Sequence, residues 1–433
     1  MIFNVTGGGG GTGCTLTITA PVGATVTVSK DGKVKPSKVA TTGTVVFKGL
    51  ETGTWTITIS NGTDTATKTV EIKADYQAEI AFVRIYGIRR DITAASPAWA
   101  RTDDAVGKTA TATVGTVAGA SDFESCYPWS GIVRETLSTG DVMVKIPRFW
   151  YRRYRSGNVE YIKIADKPTS GFELHPAFNH GGVATDYIYV GAYKTTSGNK
   201  SASGVSPLVN QTRATMRTNA KTKGLGWGII DIAALSAIQM LILVEFANND
   251  VQSVIGRGYC DYSNSGSSAH STGSCDNVSG LTGRPAGTDG KVDIVWRGIE
   301  GLWGNIWEWV DGINWNGGTY YVCNDPSNYA DDTATGYIAL SFNGATDWNR
   351  SYITQEGLDS GSNTHVMLPS AAGSGSETTY YCDAGWSSTG WTVFRRGGNW
   401  PDGSYCGLFA AHFGNSSSTS AASTGSRLLY IPS

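Results

Sequence analysis

Leu302-Trp303-Gly304-Asn305-Ile306-Trp307-Glu308-Trp309 sets glycine and a polar pair among alternating tryptophans. Glycine lets neighbouring backbone approach closely, and alternating tryptophans suit a strand that packs large rings against a core. Two further stretches share this character: Phe394-Arg395-Arg396-Gly397-Gly398-Asn399-Trp400, and Gly425-Ser426-Arg427-Leu428-Leu429-Tyr430 near the carboxyl end. Between Arg396 and Arg427 the chain has the period of a half-buried strand. Phe409, Ala411 and Phe413 are expected to point into a core, and Ala410, His412 and Gly414 away from it. With Asn399, Pro401, Asp402, Ser404 and Tyr405 on the preceding turn, the outward set predicts a contiguous surface patch.

Composition agrees with a β-rich, loop-rich chain. It has 433 residues, 56 of them glycine, with 14 Trp, 20 Tyr and 12 Phe. Glycine is well above its usual ~7%, and 40% hydrophobic residues argue against disorder throughout. At about 150 residues per domain, two or three domains are expected. The 34 Lys+Arg and 36 Asp+Glu nearly cancel, to a net charge of −2. That balance lacks the basic footprint of a nucleic-acid binder. Ile229–Ala247 is the most apolar stretch, but it carries Asp231, Ser236, Gln239 and Glu245. It therefore reads as an amphipathic core helix over about Ile232–Asn249, N-capped by Asp231, and not as a membrane span. Residues Met1–Thr6 have no basic region or apolar h-region, so cytoplasmic synthesis without a signal peptide is expected. The seven cysteines form no CxxC pair and no zinc spacing. Buried free thiols are the default, with Cys260 and Cys275 flanking a Ser/Gly-rich loop as the one pair that could join.

Three segments follow along the chain. Residues 1–13 form a glycine-rich arm, with no Gly-Lys-Ser/Thr to make it a phosphate loop. Residues 14–75 alternate β-branched residues between turns, including Lys30-Asp31-Gly32-Lys33, which reads as a hairpin. This predicts a small immunoglobulin-like β-sandwich, and around Pro21-Val22-Gly23-Ala24 it resembles the PEGA modules. Residues 76–433 are aromatic and irregular, with strands expected at Asp141–Ile146 and Thr185–Gly191. Phe149-Trp150-Tyr151-Arg152-Arg153-Tyr154-Arg155 interleaves bases and rings, a pattern that can stack nucleobases. At this net charge it reads instead as a strand burying Phe149 and Tyr151 and exposing Trp150, Arg152 and Tyr154.

Together GNIWEW, RRGGNW and GSRL resemble the C-type-lectin-like fold. Within it they are similar to the branch shared by formylglycine-generating enzymes and the variable proteins of diversity-generating retroelements, over roughly Trp227–Tyr430. The upstream PWSG (128–131), IPRFWY (146–151) and YVGAY (189–193) resemble tail proteins of gut-bacterial phages. The resemblance implies an α+β, mainly β chain: an immunoglobulin-like module, then an extended C-type-lectin-like domain with a variable region at about 394–430. It implies a phage tail receptor-binding protein in the virion, homotrimeric, meeting other tail proteins and a bacterial surface receptor, either protein or polysaccharide. Asn399, Pro401, Asp402, Tyr405, Ala410, His412, Gly414, Asn415 and Thr419 fall on the diversifiable positions. Arg396, Gly397, Gly398, Trp400, Gly403, Gly407, Phe409, Gly425 and Arg427 match the fixed scaffold.

The same resemblance raises two chemical questions. The GNxWEW turn contributes to a calcium site in the enzymes, which would place Glu308 and the carbonyls near Gly304 and Ile306 on Ca²⁺, with Gly301 where the family has Asn. No cofactor is otherwise expected, and no catalytic residue. The oxidases use two nearby carboxyl-terminal cysteines for copper, whereas Cys406 has no cysteine close in sequence. His175, His180, His270, His365 and His412 sit in no catalytic motif, and His175 and His180 read as packing or loop histidines. A non-enzyme is expected; the alternatives are a structural tail component, a polysaccharide depolymerase or a formylglycine-type oxidase.

Overall fold

The computed structural model describes residues 13–263 and 269–432. The arm expected over 1–13, except Gly13, and the centre of the Ser263–Thr272 loop lie outside them. Strand accounts for 40% of residues and helix for 11%, so the chain is mainly β with a minority of helix, as the composition predicts. It divides into two compact units, one ending at Arg84 and the other spanning Ile85–Ser433.

In the first unit, Cys14–Thr19 lies between Thr44–Leu50 and Tyr76–Glu79 in one sheet, while Thr25–Lys30, Gly53–Ser60 and Thr65–Ile72 form most of a second. Alternate residues of both sheets, among them Leu16, Ile18, Val26, Val28, Phe47, Trp55, Ile57 and Ile59, enclose one apolar core. Asp31 and Gly32 both have positive φ (50° and 75°), the conformation that a two-residue hairpin turn requires. The unit runs past the predicted end at 75, because Tyr76–Glu79 adds in parallel to Cys14–Thr19 and Ala78 and Ile80 complete the core.

In the second unit, the helix Ile232–Phe246 is buried on every side. The Asp231 carboxylate accepts from the Ala234 amide at 2.8 Å, as the N-cap reading predicts. The expected amphipathic character is corrected: no face meets water, and the polar residues are each given a partner. Ser236 bonds back to Ala233 O, Gln239 donates to Leu408 O, and Glu245 accepts from Trp296, Arg297 and Ser121. A buried polar group without such partners would cost a few kcal/mol.

The predicted strands at 141–146 and 185–191 are found as Val142–Pro147 and Tyr187–Gly191, paired antiparallel. Trp150–Ser156 is also a strand. Tyr151 is buried and Arg152 exposed, but Arg153 is buried as well, its guanidinium held by Glu160 at 2.7 Å and by the carbonyls of Val366 and Gly357. The helix Arg213–Lys221 has no apolar stripe to announce it. It is held from the side by Arg213 and Arg217, which pair with Asp311 and Asp331.

A nine-stranded sheet carries the carboxyl-terminal motifs. Its order is Ile338–Asn343, Thr319–Val322, Trp307–Asn316, Trp391–Arg396, Ala411–Asn415, Ala384–Ser387, Ser351–Glu356 and Pro369–Gly373, with Thr424–Gly425 alongside Trp307–Asn316. One face of its centre is sealed by Phe394, Ala411, Phe413 and Trp315.

Candidate functional site: a buried ionic knot beneath an aromatic surface

The three motifs meet at one carboxylate. Glu308, 1% exposed, receives Arg396 Nη2 at 2.5 Å on Oε2, and Arg427 Nη2 at 2.7 Å and Lys194 Nζ at 3.0 Å on Oε1. The surrounding turn aims its carbonyls at the same cations. Leu302 O accepts from Arg396, Glu300 O and Gly301 O from Arg427, and Ile306 O from Lys194 at 3.0 Å. Burial alone would raise the Glu308 pKa, but Arg396, Arg427 and Lys194 outweigh it and hold the carboxyl well below its ordinary range. Burial, assisted by the two guanidinium groups, brings Lys194 down to about 8 despite Glu308.

These residues do not fit the calcium ion that the resemblance implies. The Glu308 side chain and the Ile306 carbonyl, two of the donors that would face Ca²⁺, are bonded to Lys194 Nζ. Two guanidinium groups lie beside it. A divalent cation would have to displace an ammonium and sit next to like charge. The chain's own amine fills the cation position.

The glycines of Arg396-Gly397-Gly398-Asn399 make the next turn possible. A Cβ at Gly398 would stand 2.3 Å from Cys406 Sγ, and one at Gly407 would stand 2.0 Å from Asp383 Oδ1. Both positions have positive φ (82° and 148°), so any side chain would be strained and would clash. Within this turn Asn399 N donates to Asp402 Oδ2 at 3.0 Å, Asp402 N returns to Asn399 O, and Asp402 Oδ1 accepts from Arg350 at 2.9 Å.

Three of the predicted patch residues are therefore corrected. Asn399 and Asp402 are buried because they tie the turn together, and Ala410 is 1% exposed because the strand begins only at Ala411. Gly397 N donates to Ala410 O, which draws that residue inward. From Ala411 onward the predicted alternation is present, with Ala411 and Phe413 buried, His412 partly exposed and Gly414 exposed. Pro401, Ser404, Tyr405, Asn415 and Thr419 are all partly exposed.

Of these, Ser404, Tyr405 and His412 share one surface with residues that the sequence reading did not single out. His412 lies opposite Arg395 on one neighbouring strand and beside Trp386 on the other. Trp386 stacks on His412 (centroids 5.5 Å, planes 15° apart) and meets Trp307 and Tyr405 edge-on. Tyr405 in turn contacts Tyr352 at 5.0 Å, and the Tyr352 hydroxyl bonds the Ser404 hydroxyl at 2.9 Å. Arg350 lies over the Tyr405 ring. Tyr352, Trp386, Tyr405 and His412 are all partly exposed residues. Trp386 had no sequence signal, because Ala384–Ser387 does not alternate: Ala384 and Gly385 are buried, Trp386 and Ser387 partly exposed. Its contacts with Trp307, Tyr405 and His412 depend on cross-strand register, which is absent from the sequence.

Arg395 is the electrostatic exception on this surface. Its guanidinium lies over Trp307 at 4.9 Å and donates to Thr424 Oγ1 at 2.8 Å. Its Nε has no partner and it forms no ion pair among the described residues. Burial, only partly opposed by Asp402, lowers its pKa to about 10. Burial and the Arg395 charge also push His412 well below the ordinary histidine range, so its imidazole is neutral at pH 7.

The thiols and the other histidines are placed as follows. All seven cysteines are free, Cys260 and Cys275 included. Cys406, isolated in sequence, lies beside Cys260 in the fold, and burial with that thiol raises its pKa well above the usual value. A thiol of that kind is a poor nucleophile. His175 and His180 are buried packing residues; His175 lies 5.5 Å from the His365 ring, and His180 bonds Asp231 at 2.8 Å. No helix among the described residues is long and apolar enough to cross a membrane.

Fold and site together define a mainly β protein that carries a ring surface on a sheet anchored by buried charge. No protein-family model matches the chain, and no curated protein does. Among solved structures it is similar to one titled Major Tropism Determinant U1 Variant. Identity is 13% and the TM-score 0.27, covering 87% of this chain and 81% of that one.

Proposed function

We propose that this chain is a phage tail receptor-binding protein, displayed on the virion as a homotrimer, whose C-type-lectin-like region recognises a bacterial surface molecule without covalent chemistry. The carrying observation is the partly exposed row Tyr352–Tyr405–Trp386–His412. It is mounted on a sheet whose strands are fixed from beneath by Glu308, Arg396 and Arg427. A rigid frame lowers the entropy cost of binding, while partly exposed Tyr, Trp and Ser residues supply contact area and adaptable hydrogen bonds. Positions that leave the frame untouched, Ser404, Tyr405, His412, Gly414, Asn415 and Thr419, are those where diversification would alter specificity and spare folding. The test is adsorption of the purified protein to host cells. A Tyr405→Ala/His412→Ala variant that melts like the parent should lose adsorption. Undiminished adsorption by that variant would remove this surface from recognition.

A further inference from the structure

We infer that the ring surface takes an acidic saccharide, with a carboxylate or phosphate on Arg395 and the sugar ring against Trp386 and Tyr405; the inference rests on the receptor-binding reading. Arg395 is a partly buried guanidinium surrounded by Trp307, His412 and Thr424, with an unpartnered Nε and no carboxylate in ion-pair contact among the described residues. The nearest compensation, Asp402, is already engaged with Arg350 at 2.9 Å. A fixed positive charge in a partly dehydrated site is stabilised most by an anion from outside. Guanidinium is also the side chain best shaped to hold a planar carboxylate or a phosphate through paired hydrogen bonds.

The other side chains choose the kind of molecule that carries the anion. His412 is uncharged at pH 7, and Arg350, the other cation beside Tyr405, is already paired with Asp402, so a single acidic group is matched. Tyr352, Trp386, Ser404, Tyr405 and His412 include no aliphatic group. They present aromatic rings and three hydroxyls, Tyr405 Oη and the pair Tyr352 Oη and Ser404 Oγ, the last two held 2.9 Å apart. A pyranose has the complementary pattern, with a flat C–H face to lie on an aromatic ring and ring hydroxyls to bond the pair.

The test uses the full chain and four small probes followed by saturation-transfer NMR: methyl β-D-glucuronide, glucose 6-phosphate, methyl β-D-glucoside and N-acetylglutamate amide. The acidic sugars should bind the wild type about tenfold or more tightly than the neutral glucoside, the span expected for one charge-assisted hydrogen bond. Whichever of the two binds better identifies carboxylate or phosphate. Arg395→Gln should abolish that preference, and Arg395→Lys, which keeps the charge without the fork, should retain part of it. Equal binding of acidic and neutral sugars by the wild type would overturn the inference. So would binding of N-acetylglutamate amide as tight as that of the glucuronide, because the sugar ring would then contribute nothing. Host-cell adsorption separates the two levels of reading. If Arg395→Gln still adsorbs while Tyr405→Ala/His412→Ala does not, the surface stands and the acidic saccharide falls. If both variants adsorb, the receptor surface itself is refuted.

Discussion

Replacing Glu308 by glutamine tests the knot that joins the three motifs. The substitution preserves shape but leaves Arg396, Arg427 and Lys194, exposed by 1%, 0% and 3% respectively, without their shared counter-ion. Removing one partner of a buried ionic cluster costs about 3–5 kcal/mol. At about 2 cal/mol/K per residue, the larger unit unfolds with an entropy near 0.7 kcal/mol/K, so its transition should fall by about 4–7 °C. Urea denaturation at several pH values gives a sharper measure. The folded Glu308 pKa is depressed, so its stabilisation is complete above the unfolded value near 4.5 and is lost as pH falls from there toward the folded value. The gap between wild type and Glu308→Gln should therefore shrink below about pH 4.5 by about 1.4 kcal/mol per pH unit. A second substitution, Lys194→Met, should recover part of the loss in the Glu308→Gln background, because one orphaned cation has gone. A gap below about 1 kcal/mol at pH 7 would refute the knot as the structural centre, and so would a gap that does not change below pH 4.5.

Glu356 gives the opposite pH signature. It is buried with both carboxylate oxygens unpartnered, and burial, eased by Arg153 but reinforced by Glu160, raises its pKa to about 8. The folded chain keeps this proton between about pH 4.5 and 8 while the unfolded chain loses it, so its cost grows with pH. Glu356→Gln should gain on the wild type by about 1.4 kcal/mol per pH unit across that window, and a pH-independent difference in urea midpoints would contradict this. With Lys194 in the cation position, 5 mM CaCl₂ or EDTA (about 5 mM each, far above typical extracellular-site affinities) should leave the melting temperature unchanged; a calcium-dependent rise would restore the metal. Asp402→Ala should cost about 1–2 kcal/mol by releasing Asn399 N and Arg350, whereas Tyr405→Ala should leave stability close to the parent in the same melt. Six of the seven cysteines are buried and only Cys14 is partly exposed, so a thiol reagent at pH 8 should label Cys14 first and the rest only after denaturant is added.

Local features were readable before any coordinates. The Asp231 cap, the Asp31-Gly32 hairpin and the inward phase of Ala411 and Phe413 depend on neighbours within a few residues, and all are present. The helix after Asp231 was placed correctly but its surroundings were not, since Ser236, Gln239 and Glu245 suggest a wet face unless their partners are known. At the patch, Asn399 and Asp402 have the composition of a recognition loop and yet serve as the bonds that close it. Ala410 has the right parity for display and lies just before the strand that would have displayed it.

The sequence by itself determined the mainly β character, the period of the strands and the identity of the residues in the three motifs, because backbone geometry and side-chain size act over short spans. Tertiary structure alone decided which charges share a site. Glu308 meets Lys194 from 114 positions away, Arg396 from 88 and Arg427 from 119, and only a completed sheet brings such distant groups within hydrogen-bonding reach. It also decided that Arg395 would have no ion-pair partner among the described residues, a property that depends on the position of every neighbouring acid and not on any stretch of chain around it.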